Sequence, residues 1–255
     1  MIHQQLHLKP LVLDRVEHRA MKVALPITDW SPADKLNSLF LAAVEFADAS
    51  RDFPIVFVSA GNDPDGTPQL APVAVFGLGA QENLYLADDR SWRGGYMPAV
   101  LRLYPFCIAR VDNERFAICV DQAWPGVNLD RGEPIFADDG QPTPLMTAVQ
   151  GQLEQLEHEV QRTRVFCQKL RELDLLRDMR FDAKLPDGQT FTVDGFFTVD
   201  EARLNQLSDA VLVDLQRTGQ LGLVHAHLIS LGNMRRLADW RALRVAVPAP
   251  TAAPT

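Results

Sequence analysis

Two histidines, His225 and His227, have the residue type and spacing that most directly suggest chemistry in this chain. On a β-strand this spacing sends both imidazoles to the same face, where they could ligate a metal or act as acid and base. On a helix the two side chains lie about 200° apart and cannot chelate one ion. The surrounding apolar segment, 221–231, fits either a strand or a buried helix. We favour a structural role for both histidines, predict neither a metal nor a cofactor, and keep acid–base or metal-binding chemistry as the alternative.

A second set of residues has the composition of a binding site. Arginines and large aromatic side chains are enriched at binding hot spots because they combine a large rigid surface with directed hydrogen bonds. A tryptophan in a Pro- and Gly-containing loop can also form a lid or a ligand platform. The predicted ligand-binding residues are Arg51, Asp52, Trp92, Arg93, Tyr96, Arg102, Tyr104 and Trp124. For each of them, packing or a structural ion pair is the competing interpretation.

The motifs of the common catalytic classes are missing from the sequence. There is no GxxxxGK[ST] phosphate loop, no GxGxxG dinucleotide turn, no GxSxG nucleophile elbow and no HExxH zinc pair. Each of these chemistries depends on its spacing to form a cradle, a strained turn or a pair of ligands. The sequence therefore favours a binding or accessory protein over an enzyme, with an enzyme that lacks a standard motif as the alternative.

Charge and composition restrict the partners of the chain. The 33 Asp and Glu residues outnumber the 25 Lys and Arg residues and give a formal net charge of −8. An acidic surface repels the phosphates of nucleic acids, so we expect no nucleic-acid partner. The hydrophobic fraction of 47% is that of a folded globular protein.

Three features indicate a cytoplasmic protein. The N-terminal segment lacks an uninterrupted apolar stretch of the kind found in export signals. The longest uncharged apolar runs, such as 54–61, are much shorter than the roughly 20 residues of a membrane-spanning helix, so no membrane span is expected. The three cysteines, Cys107, Cys119 and Cys167, have no CxxC spacing and are predicted to be reduced, buried thiols.

The first half of the chain predicts an antiparallel sheet. A helix-like pattern over 35–49 precedes β-branched and aromatic runs at 53–122, which are separated by turn residues. A short helix is predicted within 95–104, with Pro98 in its first turn. The loop at 124–142, rich in Pro, Gly and Asp, is a candidate sub-boundary.

A long amphipathic helix is predicted over 143–178. Apolar residues recur at alternating spacings of four and three within 149–170, which predicts one buried face. The partner of this face is either the remainder of the chain, which we favour, or a second copy in a homodimer.

The second half continues with a hairpin at 180–197, built around Pro186-Asp187-Gly188, and a helix at 199–218. Thr198 and Glu201 have the spacing of a capping box, and Gly219 marks the end of this helix. The fold class is therefore α+β. Its predicted organisation is an N-terminal arm (1–20), a single domain (21–245) and a disordered Pro/Ala tail (246–255).

The chain resembles the SapC family in six stretches. These are EFADASRDFPIVFV (45–58), AVFGL with ENLYL (74–86), GYMPAVLRLYPF (95–106), ICVDQ (118–122), DGFFTVDEARLNQL (194–207) and AHLISLGNMRRL (226–237). The combination is specific although no single stretch is, and the stretches extend over nearly the whole domain.

The resemblance implies no specific activity and no catalytic residues. It does imply a setting, because many family members are encoded beside TonB-dependent receptors and flavin-dependent halogenase-like enzymes. Three functions remain open at this point: an accessory protein that binds a peptide or small molecule or docks an enzyme, an enzyme using His225 or His227, and a structural protein of a surface layer. The first is favoured.

Overall fold

The computed structural model describes residues 2–62, 66–111, 115–184 and 190–246, and it has mixed α+β architecture. Eleven strands are described: β1 (Pro10–Val12), β2 (Lys22–Val23), β3 (Ser38–Phe40), β4 (Ile55–Asn62), β5 (Pro68–Val75), β6 (Phe106–Arg110), β7 (Phe116–Asp121), β8 (Val127–Asn128), β9 (Glu133–Pro134), β10 (Leu176–Lys184) and β11 (Thr190–Val199). The α-helices of the described residues are α1 (Phe46–Ala49), α2 (Ala99–Arg102), α3 (Pro144–Glu172), α4 (Glu201–Leu204), α5 (Asp209–Arg217), α6 (Gln220–Ser230) and α7 (Asn233–Ala246).

The strands form three antiparallel sheets. The largest has five strands in the order β10-β11-β4-β5-β3, so the C-terminal hairpin completes a sheet that begins in the first third of the chain. A second sheet has the order β1-β7-β6, and a small third sheet has the order β8-β2-β9. The α+β class is confirmed, with a central five-stranded antiparallel sheet.

The core lies between the five-stranded sheet and the helices packed on it. Phe57 of β4 contacts Phe46 of α1 and Phe166 of α3, with ring centroids 6.5 and 6.3 Å apart. All three rings are buried. These contacts bury the apolar face of α3 within the chain, as the intramolecular alternative predicts.

The long helix is confirmed over α3. Thr143 caps its N-terminus by accepting a hydrogen bond from the Met146 backbone N–H, and Pro144 occupies the first turn. Its buried residues are Met146, Val149, Leu153, Leu156, Val160, Thr163, Phe166, Cys167 and Leu170. The helix ends at Glu172, earlier than predicted, because Leu176 already belongs to β10.

The helix predicted at 35–49 is wrong for most of its length. Its first part forms β3, which pairs with the end of β5, and its second part forms a 3-10 turn at Ala43–Glu45 followed by the single helical turn α1. Both a strand and a turn can bury apolar residues in this segment. β3 forms because its backbone pairs with β5 at the edge of the sheet, and sequence periodicity does not indicate such a long-range pairing.

The single sheet predicted at 53–122 is divided between two sheets. β4 and β5 belong to the five-stranded sheet, whereas β6 and β7 belong to the sheet of order β1-β7-β6, in which β7 pairs with both β1 and β6. The run at 83–88 contributes only an isolated bridge between Leu86 and Trp92. Turn residues at 63–65 and 112–114 lie outside the described residues.

The predicted hairpin is confirmed as β10 with β11, and the predicted short helix is confirmed as the single turn α2, although Pro98 is its N-cap and not part of the first turn. The predicted hairpin turn at 186–188 lies outside the described residues. So does the predicted tail at 246–255, except for Ala246, which is the last residue of α7. Gly219 has a φ of +75° and separates α5 from α6, in agreement with its predicted role as a helix stop.

The capping box predicted at Thr198 and Glu201 is wrong in the identity of its N-cap residue. Asp200, and not Thr198, accepts hydrogen bonds from the first-turn N–H groups of Ala202 and Arg203. Thr198 lies inside β11, where its hydroxyl contacts His227. The predicted helix is divided into α4 and α5.

No helix among the described residues is both long enough and apolar enough to cross a bilayer.

Candidate functional site

The two histidines lie on helix α6. Nearly all of the segment 221–231 is therefore helical, and the strand alternative is wrong. His227 is completely buried, whereas His225 is exposed. Residues two apart on a helix point in widely different directions, so the pair cannot ligate one ion. Among the residues that the structure describes, no cluster of three or more His, Cys, Asp or Glu side chains is arranged to hold a metal.

His227 joins helix α6 to two strands of the central sheet. Its Nε2 atom accepts the backbone N–H of Val199 at 3.1 Å and lies 2.9 Å from the Thr198 hydroxyl. A backbone N–H can only donate, so Nε2 carries no proton and Nδ1–H donates to the Ile55 carbonyl at 2.8 Å. Burial lowers the pKa of His227 to about 4, so the imidazole is neutral at physiological pH.

A groove lies between the segment 42–45, helix α2 and one side of helix α3. It encloses about 450 Å³ and is lined by Ala42, Val44, Glu45, Ala99, Arg102, Leu103, Gln152, Gln155, Leu156 and Glu159. Of the predicted site residues, Arg102 lines this groove, and the Tyr96 hydroxyl donates a hydrogen bond to the lining residue Glu45. His225 and Trp124 are not part of the groove.

Arg102 is held at the groove and forms no ion pair with another described residue. Its guanidinium donates to the Met97 carbonyl at 2.6 Å and lies 5.4 Å from the centroid of the Tyr96 ring. None of the ion pairs of the described residues includes it, and its side chain is exposed. The cation is therefore positioned by the protein and remains able to bind an anion.

Glu45 organises the floor of the groove, and it was not among the residues predicted for the site. Its side chain is only 5% exposed. One carboxylate oxygen accepts the Ala99 N–H at 2.7 Å and the Tyr96 hydroxyl at 2.8 Å, while the other accepts the Ala42 N–H at 3.0 Å. The signal available in the sequence was an acidic residue within an apolar run, which a helical reading assigns to the solvent-facing side.

Asp52 and Trp92 fix the turn that leads to the groove. Asp52 accepts the Tyr96 N–H at 2.6 Å, and the Trp92 indole N–H donates to the Tyr96 carbonyl at 2.9 Å. A Cβ at Gly95 would come within 3.2 Å of the Asp52 carboxylate, so the turn leaves little room for a side chain. These two residues position Tyr96 rather than line the groove.

Arg51 and Arg93 are exposed and lie outside the groove. Arg51 is 3.9 Å from Asp48 in a surface ion pair, and its backbone carbonyl accepts a hydrogen bond from Arg236 at 2.8 Å. The structure therefore separates these two arginines from Arg102.

Tyr104 and Trp124 belong to a different buried region. The Tyr104 hydroxyl donates to the Asp121 carboxylate at 2.9 Å, and the two aromatic rings are 5.8 Å apart. Trp124 lies so close over Gly126 that a Cβ there would be 2.2 Å from the indole. Trp124 is therefore packed onto the structure, as the alternative to a ligand platform predicts.

His7 is a second buried histidine, in the N-terminal segment. Its Nδ1 accepts the His3 N–H at 3.0 Å, whereas its Nε2 has no partner among the described residues. Burial lowers the pKa of His7 to about 4. No periodic pattern in this segment distinguished it from the half-buried His18.

The chain matches a known protein family over most of its length. The SapC family model matches residues 13–237, and the chain belongs to the SapC family. The resemblance inferred from six stretches is thus confirmed. No curated protein and no solved structure matches the chain.

Proposed function

We propose that this chain is a binding protein that holds a short peptide, or a small molecule with a carboxylate, in the groove beside Arg102. The guanidinium of Arg102 is the observation that carries the proposal, because it is positioned by Met97 and Tyr96 and lacks an ionic partner among the described residues. A planar guanidinium held in this way binds a carboxylate through two parallel hydrogen bonds.

The remaining groove residues complement a peptide. Gln152 and Gln155 of α3 are exposed, and their amides can donate to and accept from peptide groups. Val44, Leu103 and Leu156 supply apolar surface between these polar groups. The volume of about 450 Å³ lies within the roughly 300–1,000 Å³ typical of small-ligand sites.

We do not propose catalysis by the two histidines. Both ring nitrogens of His227 are occupied by protein groups, and His225 lies on the solvent side of α6. A carrier of peptides agrees with the partners that the family resemblance implies, a halogenase-like enzyme or a TonB-dependent uptake pathway, and with the cytoplasmic setting expected from the sequence.

The proposal is tested with two matched pools of N-acetylated tripeptides, one with free C-terminal carboxylates and the other with C-terminal amides. Saturation-transfer NMR on the full chain identifies which members contact the protein. We expect binders in the carboxylate pool that lose at least tenfold in affinity when amidated, because an arginine–carboxylate pair contributes about 1.5–3 kcal/mol. The absence of binders in both pools, or equal binding of carboxylates and amides, would contradict the proposal.

A further inference from the structure

Two cysteines face each other across strands β6 and β7, in the sheet of order β1-β7-β6. Cys107 of β6 and Cys119 of β7 are direct register partners, and each is only 1% exposed. The Asp121 N–H donates to the Pro105 carbonyl at 2.8 Å, two residues along the same ladder. Hydrogen-bonded pairs alternate along an antiparallel ladder, so the cysteines occupy a hydrogen-bonded position with Cα atoms about 5.5 Å apart.

That spacing is compatible with a covalent link. Disulfides join residues whose Cα atoms are roughly 4.4–6.8 Å apart, with the Cβ atoms on the same side. Direct partners in an antiparallel pair meet this condition, because their side chains project to one face. The opposite face carries Ile108 and Ile118, which line a groove against α3, so the thiols are separated from the groove residues.

The two thiols already interact in the reduced protein. A hydrogen bond from Cys107 lowers the pKa of the Cys119 thiol, and the same hydrogen bond together with burial raises the pKa of Cys107. Cys119 is therefore the thiol that ionises first and attacks an oxidant, while Cys107 remains protonated. Cys167, buried in α3, has its pKa raised by burial to about 12 and has no such partner.

We propose that Cys107 and Cys119 are a redox-sensitive pair that forms a reversible intramolecular disulfide. With a hydroperoxide such as hydrogen peroxide, the Cys119 thiolate attacks one oxygen, the O–O bond breaks, and one water leaves after protonation. The Cys107 sulfur then attacks the resulting sulfenic acid, the S–S bond forms, the S–O bond breaks, and a second water leaves with the Cys107 proton. Two thiols thus supply the two electrons that reduce one peroxide to two waters.

The location of the cysteine pair at the edge of the sheet determines how an oxidant reaches the thiols and which strand the disulfide would restrain. β6 is the outer strand of the order β1-β7-β6, and local opening at this edge of the sheet would give an oxidant access to the buried thiols. The disulfide would tie this outer strand to β7 and restrain its opening. This site is independent of the groove at Arg102, and it can fail or succeed separately from the proposed binding function.

The test is an equilibrium titration of the full wild-type chain in glutathione buffers of increasing oxidising ratio, followed by a single dose of hydrogen peroxide on reduced protein. Samples are quenched in acid, alkylated under denaturing conditions and mapped by mass spectrometry. We expect a cross-linked peptide joining Cys107 to Cys119, with Cys167 fully alkylated throughout. The same treatment in denaturant shows the pairing expected from an unfolded chain.

Single substitutions then assign the roles. Cys107→Ser leaves Cys119 to accumulate as a sulfenic acid or a mixed disulfide with glutathione, whereas Cys119→Ser leaves a Cys107 that reacts at least tenfold more slowly. Cys167→Ala is the matched control and keeps the wild-type midpoint. Folded wild-type protein that retains both free thiols at the most oxidising ratio, or that pairs Cys167 as often as in denaturant, would overturn the proposal.

Discussion

His227 and Arg102 were both predicted as candidate site residues, yet their polar atoms have different partners. His227 lies at the junction of helix α6 with two strands of the central sheet, whereas Arg102 lies at the groove. At His227, both ring nitrogens are bonded to protein groups and the side chain is fully buried. At Arg102, the cation is held in place but exposed and lacks an ionic partner among the described residues. A polar group satisfied within the fold contributes stability, whereas one positioned and left unpaired is able to bind a ligand.

The largest effect is expected at the buried junction. His227→Ala leaves the Val199 N–H and the Ile55 carbonyl without their partner and opens a cavity, which together cost about 3–5 kcal/mol of the free energy of unfolding. His225→Ala on the same helix is the matched control and changes it by less than about 0.5 kcal/mol. Urea denaturation measures both, and equal losses would remove the distinction between the two histidines.

The same junction predicts a pH dependence of stability. The pKa of His227 is about 4 in the folded protein against its ordinary value of 6.5, so the unfolded chain binds the proton more readily. Stability from this residue is complete above pH 6.5 and is lost as the pH falls toward 4, on the order of 3 kcal/mol in all. His7 contributes with the same sign.

The pH dependence is measured as the free energy of unfolding in urea between pH 4.5 and 7. His227→Gln is expected to flatten this dependence substantially, whereas His225→Gln leaves it as in the wild type. A wild-type stability that rises as the pH is lowered through this range would contradict the neutral, buried imidazole.

An intermediate effect is expected for the floor of the groove. Glu45→Gln replaces one acceptor oxygen by an amide that faces the donor N–H of Ala42 or Ala99, which costs about 2 kcal/mol. Glu159→Gln is the control: this half-buried residue lines the same groove, pairs with the exposed Arg162 at 3.0 Å, and its substitution costs less than about 1 kcal/mol. Thermal and urea unfolding compare the two variants, and a Glu45→Gln protein as stable as the control would refute the supporting role of Glu45.

Local patterns predicted the regular elements better than their assembly. The apolar seam of α3 and the stop at Gly219 follow from side-chain period and backbone freedom, which depend on nearby residues alone. The assignment of strands to sheets depends on pairing between distant segments, such as Phe197 of β11 with Phe57 of β4. Periodicity carries no information on such pairings, and the helix predicted at 35–49 is wrong for the same reason.

The candidate site was predictable only in part. Arg102 and Tyr96 were recognisable because their types are common in binding sites, but nothing in the sequence separated them from Arg51 or Trp124. Glu45 was missed because two of its three partners, the N–H of Ala99 and the hydroxyl of Tyr96, are more than 50 residues away. The hydrogen bonds that satisfy such a buried carboxylate are known only from the folded structure.

The most direct test of the binding proposal is calorimetric titration of the best carboxylate-bearing tripeptide into the wild type, Arg102→Ala and Arg51→Ala. Arg102→Ala should weaken binding at least tenfold while changing the free energy of unfolding by less than about 1 kcal/mol, because its side chain is exposed. Arg51→Ala, which removes an exposed arginine outside the groove, should bind as the wild type does. Equal affinity of all three proteins, or a loss confined to Arg51→Ala, would contradict the assignment of the ligand site to the groove beside Arg102.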